Sequence, residues 1–443
     1  MNTILIISDT VRRDFLGAYG NEWISTPNLD RFAAEGLVFD RAYTASYATV
    51  PNRGDVHTGT YVFPEHGWEP LRYTNVTLST TLGAAGFTTQ FFVDTPHIIK
   101  DGFNFDKGFT GWEWIRGQEN DRYITDASLK IELPCAPEKL RNPYTTFLQH
   151  ARNTAWWRSE EDRFCARTMR KAMAWLEHNY KLEKFCLVVD TFDPHEPWDP
   201  PWYYYERYDP DYEGEVIPYP AYGGTEPFSQ RELQHLRYLY AAELTLVDRW
   251  VGRLLDKIDE VGLRDRAMVI FTTDHGFMLG EHGWVGKGRS PLYLELNAIP
   301  LMIRYPGGPA GVRTDAFAQA PDLMPTILDA AGVPIPEECT GRSLLPLLRG
   351  EVEQVRDLAI SSWQLPRRPE QRVLSVITEK EWCLHYYGPG GPHELYHLPS
   401  DPQQQRNRLE TEREVAEGLH RRYVEFLRQI RTPADRLALR SRL

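Results

Sequence analysis

The sequence predicts an α/β sandwich around a largely parallel sheet, followed past about residue 350 by a small antiparallel sheet and a terminal helix. Three observations carry that expectation. The runs ILIISD, FCLVVD and MVIFTTD close on Asp9, Asp190 and Asp274 and are apolar on both faces, which suits strands buried inside a parallel sheet. Amphipathic helical patterns alternate with them, as helices layered over a sheet require. Past about residue 350 the pattern shortens to brief strands bounded by turn residues.

Taken in order, MNTILIISD opens directly as a strand, and its apolar stretch is too short for a signal peptide or a membrane span. Five widely spaced cysteines (Cys135, Cys165, Cys186, Cys339, Cys383), with no CxxC pair, fit reduced thiols, so a cytoplasmic protein is expected. In YTASYATVPNRGDVHTGTY, Thr49 precedes Pro51 at what reads as a helix start, where proline costs no hydrogen bond. Ser159, the acids EED and the stripe Phe164, Thr168, Met169, Ala172, Trp175 and Leu176 predict a second helix capped by that serine. A third is framed by the capping box Ser229 and Glu232, with Gly262 as its stop.

The loop WDPPWYYYERYDPDYEG, residues 198–214, crowds seven aromatic side chains. It reads either as a rim stacking on a leaving group or as a cover for the sheet. Beyond the linker-like WQLPRRPEQ, the runs RVLSVIT, KEWCLHYY and HELYHL predict a small antiparallel sheet. The charged tail from Thr411 reads as a solvated helix or an arm for a homo-oligomer.

Composition narrows the partners. With 62 acidic against 50 basic residues in 443, the formal charge of −12 argues against nucleic acid. An anionic substrate must therefore be met by a local basic pocket.

In parallel sheets ligands gather at the carboxyl ends of strands, where Asp9 and Asp274 are expected to meet. Asp274 and His275 supply the mixed oxygen and nitrogen donors of a divalent metal site. A hydroxyl at a helix N-terminus sits in a positive backbone field, which favours an alkoxide and an incoming anion, although serine or threonine there also serves as a plain cap. Arg53, one turn further on, can reach that oxygen or a bound oxyanion.

At these residues the chain resembles the sulfatases of the alkaline phosphatase superfamily. The likeness runs through TPNLDRFAAEGLVFDRAYT, TVPNR, TGTY, GRLLDKIDEVGLRDRAMVIFTTDHGFMLGEHG, PLMIRYPGG, APDLMPTILDAAGVPIPEECTGRSLLPLLRG and ELYHLPSDPQQQRN. The resemblance implies an alkaline-phosphatase-like α/β three-layer sandwich with a large mixed, mostly parallel sheet, its catalytic domain over 1–350 and a smaller C-terminal α+β subdomain over 351–443. By motif it makes Asp9, Asp274, His275 and Thr49 ligands of one divalent metal (Mn, Zn, Mg or Ca). Thr49 becomes the nucleophile and Arg53 the arginine that fixes it. His195, in TFDPHEPW, stands beside the leaving group, and Lys287 is the substrate lysine. His97 takes the place of a second active-site histidine and Thr95 stands where the family has a lysine, so both are expected at the substrate. Thr10 replaces the second acid that often follows the first.

The main departure is Thr49. Sulfatases carry cysteine or serine there and oxidise it to formylglycine, and threonine, with a methyl on its carbinol carbon, cannot become that aldehyde. An ordinary alkoxide attacking phosphorus remains, so the expected substrate is a small anionic ester, a phosphate diester or phosphonate monoester. Two alternatives stand beside this: a sulfuric ester hydrolase working without formylglycine, and a catalytically silent oxyanion-binding protein. Neither nucleic acid nor a membrane is an expected partner.

Overall fold

The computed structural model describes residues 1–288 and 290–443. Eight strands form the large sheet: β1 (Asn2–Ser8), β2 (Leu37–Tyr43), β3 (Thr88–Val93), β4 (Gly111–Trp114), β5 (Phe185–Thr191), β6 (Ala267–Thr272), β7 (Leu301–Arg304) and β8 (Val312–Gln319). Their spatial order is β8-β2-β7-β6-β1-β5-β3-β4. β7 runs antiparallel to β2 and β6, and the other neighbours pair in parallel.

Alternation along β1 shows how the layers arise. Ile4 and Ile6 enter one core with α1 (Pro27–Ala34), α4 (Phe164–Asn179) and α5 (Gln230–Glu260). Leu5 and Ile7 enter the opposite core with α2 (Thr49–Thr58), α3 (Leu78–Ala84) and α6 (Leu323–Ala331). Each such side chain, withdrawn from water, contributes roughly 1.5–3 kcal/mol, and a strand with both faces covered must be apolar throughout.

α5 begins as its capping box requires. Ser229 Oγ accepts from the Glu232 amide at 3.2 Å while Glu232 Oε2 accepts from the Ser229 amide at 2.8 Å, and Gly262, just past its end, has φ of +75°. α4 starts later than expected. Ser159 caps a separate turn over Glu160–Asp162, and extended Arg163 intervenes before Phe164. Glu160 is engaged by Tyr203, Tyr204 and Arg249, so this acid serves the turn and not the helix.

The C-terminal sheet holds β9 (Ala359–Ser362), β10 (Ser375–Thr378), β11 (Trp382–Tyr386) and β12 (Glu394–His397), all antiparallel. Its last three strands are the expected ones, while β9 precedes the linker and is too short to stand out in the sequence. α7 (Arg413–Gln429) packs Leu419, Tyr423 and Leu427 onto this sheet, in a core shared with Ala45, Tyr61 and Phe63. The tail folds back into the same core: Arg440 is fully buried, donates to Ser375 Oγ at 2.8 Å and to Tyr423 Oη at 3.2 Å, and lies 4.4 Å over the Tyr386 ring.

The aromatic loop is mostly scaffold. Trp198 is fully buried, donates to the Pro194 carbonyl at 2.8 Å and meets Tyr240 and Phe277 edge-on, while Trp202 and Tyr203 stay exposed. Among the described residues no helix is long and apolar enough to cross a membrane.

Candidate active site

β5, β1 and β6 are neighbours at the centre of the sheet, so their carboxyl ends bring Asp190, Asp9 and Asp274 together. Arg53, on α2, binds all three. Its Nε and Nη2 donate to the two Asp190 oxygens at 3.0 Å each, and Nη1 donates to Asp9 Oδ2 at 2.9 Å and to Asp274 Oδ2. All four side chains are fully buried. The guanidinium fork suits this task because it presents donors along two edges.

The resemblance assigned Arg53 to Thr49. Its hydrogen bonds in the structure go to the carboxylates instead, because the acids from three adjacent strands converge on its fork. Thr95, expected at the substrate, is fully buried, and its Oγ1 donates to Asp190 Oδ1 at 2.6 Å.

Thr49 is the first residue of α2, and Ala48, which takes the capping position, offers no side-chain capping bond. Its Oγ1 stands 3.3 Å from His275 Nε2, so the hydroxyl faces the site and not the helix amides. His275 Nδ1 lies 2.9 Å from the Gly276 carbonyl and donates to it, which leaves a lone pair on Nε2. Lys287 Nζ and Asp274 Oδ2 each lie 3.3 Å from that same nitrogen. Tyr47 closes the far side, its ring 5.2 Å from the imidazole and its hydroxyl donating to the Lys287 carbonyl at 3.0 Å.

These donors fit a divalent cation. Asp9, Asp274 and His275 offer ligand atoms within 4.8 Å of one another, all buried. Two hard oxygens and one oriented imidazole are an ordinary donor set, and the backbone carbonyl behind the histidine fixes its tautomer. Charge agrees, since among the described residues three buried acids face two cations, Arg53 and Lys287. Burial and Asp274 push the Asp9 carboxyl up to about 8 despite Lys287 and Arg53. Burial works the same way on Asp274, yet Arg53, His275, Lys287 and the Thr10 amide together outweigh it and hold that group below its ordinary range. Burial, with Lys287, lowers His275 to about 3, so its imidazole is neutral and ligand-ready. Thr10, in place of the second acid, donates from Oγ1 to Asp9 Oδ1 at 2.5 Å and from its amide to Asp274 Oδ1 at 3.0 Å, which fixes both carboxylates without adding charge.

Lys287 joins this centre to a second group of residues. Its Nζ donates to Thr10 Oγ1 at 3.2 Å and lies 3.6 Å from Asp9 Oδ1. With burial, it also holds His195 well below the usual histidine range. His195 stacks on Phe192 at 3.8 Å. His97 pairs its Nε2 with Glu119 Oε2 at 2.7 Å and lies 5.2 Å from the Trp68 ring. Burial would raise Glu119, but His97 and Arg141 draw it down to about 2.

Sequence reasoning passed over several residues of this site. Asp190 was seen as a strand end, and only the sheet order shows that it holds Arg53. Glu196 adjoins His195 in PHEP and could have been noticed there. Glu119, Arg141 and Tyr47 carry no signal in a single sequence.

Comparison with known proteins accords with this geometry. The family model described as Sulfatase matches residues 1–333, and that for the C-terminal part of N-sulphoglucosamine sulphohydrolase matches 280–429. An arylsulfatase of Clostridium perfringens is 26% identical over a 474-residue alignment covering 97% of this chain and 93% of its own. An N-acetylglucosamine-6-O-sulfatase of Bacteroides thetaiotaomicron is 26% identical over 473 residues, covering 92% and 82%. The crystal structure of the phosphonate monoester hydrolase of Agrobacterium radiobacter superposes with a TM-score of 0.78 at 22% identity, covering 97% of this chain and 96% of that one. The fold is thus the alkaline-phosphatase-like sandwich, and with the first family model spanning most of its length, the chain belongs to the sulfatase family, whose members are ester hydrolases that use a divalent metal.

Proposed function

We propose that this chain is a metal-dependent hydrolase that cleaves phosphate diesters or phosphonate monoesters through Thr49. The observation that carries the reading is a threonine hydroxyl, barred from becoming formylglycine, 3.3 Å from the ligand nitrogen of His275. The likeness to a phosphonate monoester hydrolase supports it. Thr49 Oγ1 attacks phosphorus, and the phosphothreonine is then hydrolysed by water. Arg53 keeps the three carboxylates in place, Lys287 neutralises charge on the equatorial oxygens, and His97 adds a donor at the substrate side. His195 faces the leaving oxygen as general acid. A divalent ion, Mn, Zn, Mg or Ca, held by Asp9, Asp274, His275 and Thr49, would lower the pKa of the hydroxyl and offset oxyanion charge. The unpaired state of all five cysteines supports work in the cytoplasm.

A second reading, hydrolysis of sulfuric esters without formylglycine, is favoured by the names of the curated relatives above. The test is to offer the metal-loaded protein matched nitrophenyl sulfate, phosphate, phosphodiester and phosphonate esters, alongside Thr49→Ala. The expected result is turnover of the diester or phosphonate, its loss in Thr49→Ala, and one added phosphoryl group on the Thr49 peptide. Turnover confined to the sulfate ester would overturn it, and no turnover with any metal would favour an oxyanion-binding protein.

A further inference from the structure

We propose that Glu196 is a positioning residue for His195, holding the ring and supporting the protonated imidazole that delivers a proton to the leaving oxygen. The proposal rests on the hydrolytic reading above. His195 Nδ1 lies between two oxygens of Glu196, the backbone carbonyl at 2.5 Å and carboxylate Oε2 at 3.3 Å. Phe192, stacked against the ring, keeps it from turning away. Nε2 is thereby left for the substrate.

The carboxylate is fully buried, and Oε2 has no hydrogen-bond partner among the described residues. An unpaired buried carboxylate oxygen costs free energy, so its placement 3.3 Å from an imidazole nitrogen calls for a use. The other oxygen is fully engaged. Oε1 accepts from Arg141 Nη1 at 3.2 Å and from the Tyr222 hydroxyl. Arg141 lies over the Tyr222 ring at 4.1 Å and stands 3.9 Å from Glu119 Oε1, whose other oxygen holds His97. Both histidines are thus backed by carboxylates that one arginine clamps.

His195 is held low by burial, Lys287, Arg141 and His97, each of which disfavours imidazolium. Glu196 is pushed up by burial against the pull of Lys287, Arg141 and Tyr222. A carboxylate 3.3 Å from Nδ1 opposes those cations and favours the imidazolium that a general acid needs in order to donate from Nε2. When the Thr49 Oγ–P bond forms, the bond to the leaving oxygen breaks with its electron pair, and the Nε2 proton passes to that oxygen. His195 recovers a proton from the water that then attacks phosphothreonine and releases the Thr49 alkoxide.

The test compares wild-type holoenzyme with Glu196→Gln and Glu196→Asp on aryl esters whose leaving groups range from dinitrophenol to phenol. For Glu196→Gln, kcat should fall roughly ten- to a hundredfold with the phenyl ester and by no more than about twofold with the dinitrophenyl ester, which needs little proton donation. Glu196→Asp should fall between the two, and Glu196→Gln should add nothing in a His195→Ala background. A loss that is uniform across the series, or that persists without His195, would overturn the proposal. The series is run on whichever ester class is turned over, so a sulfur preference, or activity surviving Thr49→Ala, counts against the earlier reading alone.

Discussion

Arg53 puts both edges of its guanidinium against carboxylates, and the site's electrostatics turn on that. Removing one partner of a buried ion cluster leaves the others uncompensated. Arg53→Met would leave Asp9, Asp190 and Asp274 without the cation that binds all three. We expect it to lose roughly 3–5 kcal/mol in urea unfolding without metal, and added Mn to restore part of that loss because a divalent ion supplies the missing charge. An unchanged midpoint, or one indifferent to metal, would contradict this assignment. Of the site residues, Asp9, Thr49, Asp274, His275, His195 and Lys287 were legible as a set because each lies in a local motif. Thr95 was not, since its partner Asp190 lies far away in the chain and nothing local says that they touch.

Elements were legible where local chemistry decides them. The capping box at Ser229 works because both of its hydrogen bonds span three residues and need no tertiary help. Ser229→Ala should therefore lower stability by about 1 kcal/mol and leave kcat unchanged, as chemical denaturation and an ester assay would show. The start of α4 was misread because the same signature also closes a single turn, and the choice between turn and helix depended on Glu160 finding Tyr203, Tyr204 and Arg249. β9 went unread because four residues carry too little pattern.

At the scale of the whole molecule, acid should undo the fold partly through His57, on the buried face of α2. Its ring lies 5.5–5.9 Å from Phe91, Phe105 and Phe109, and neither nitrogen has a hydrogen-bond partner among the described residues. Burial, aided by Arg53, pushes it down to about 3. The unfolded chain takes up this proton at the ordinary histidine value near 6.5, so the contribution is whole above that pH. It is lost as pH falls toward 3, at up to about 1.4 kcal/mol per unit. His57→Leu should flatten that limb between about pH 6 and 4.5 and cost little at pH 7, since an unpaired polar ring gives way to an apolar side chain of similar volume. An acid limb as steep as wild type would count against it.

By itself the sequence determined the alternation of strands and helices, the motifs that place a hydroxyl, acids and imidazoles at strand and helix ends, and the chemical bar that threonine sets against formylglycine. These are local matters, governed by periodicity and by what a side chain can donate. Only the tertiary structure decided that Arg53 serves Asp190, that the tail buries Arg440 in its own sheet, and that Glu196 backs His195. Such pairings depend on the order in which distant strands lie side by side, and that order is set by packing both faces of one sheet at once.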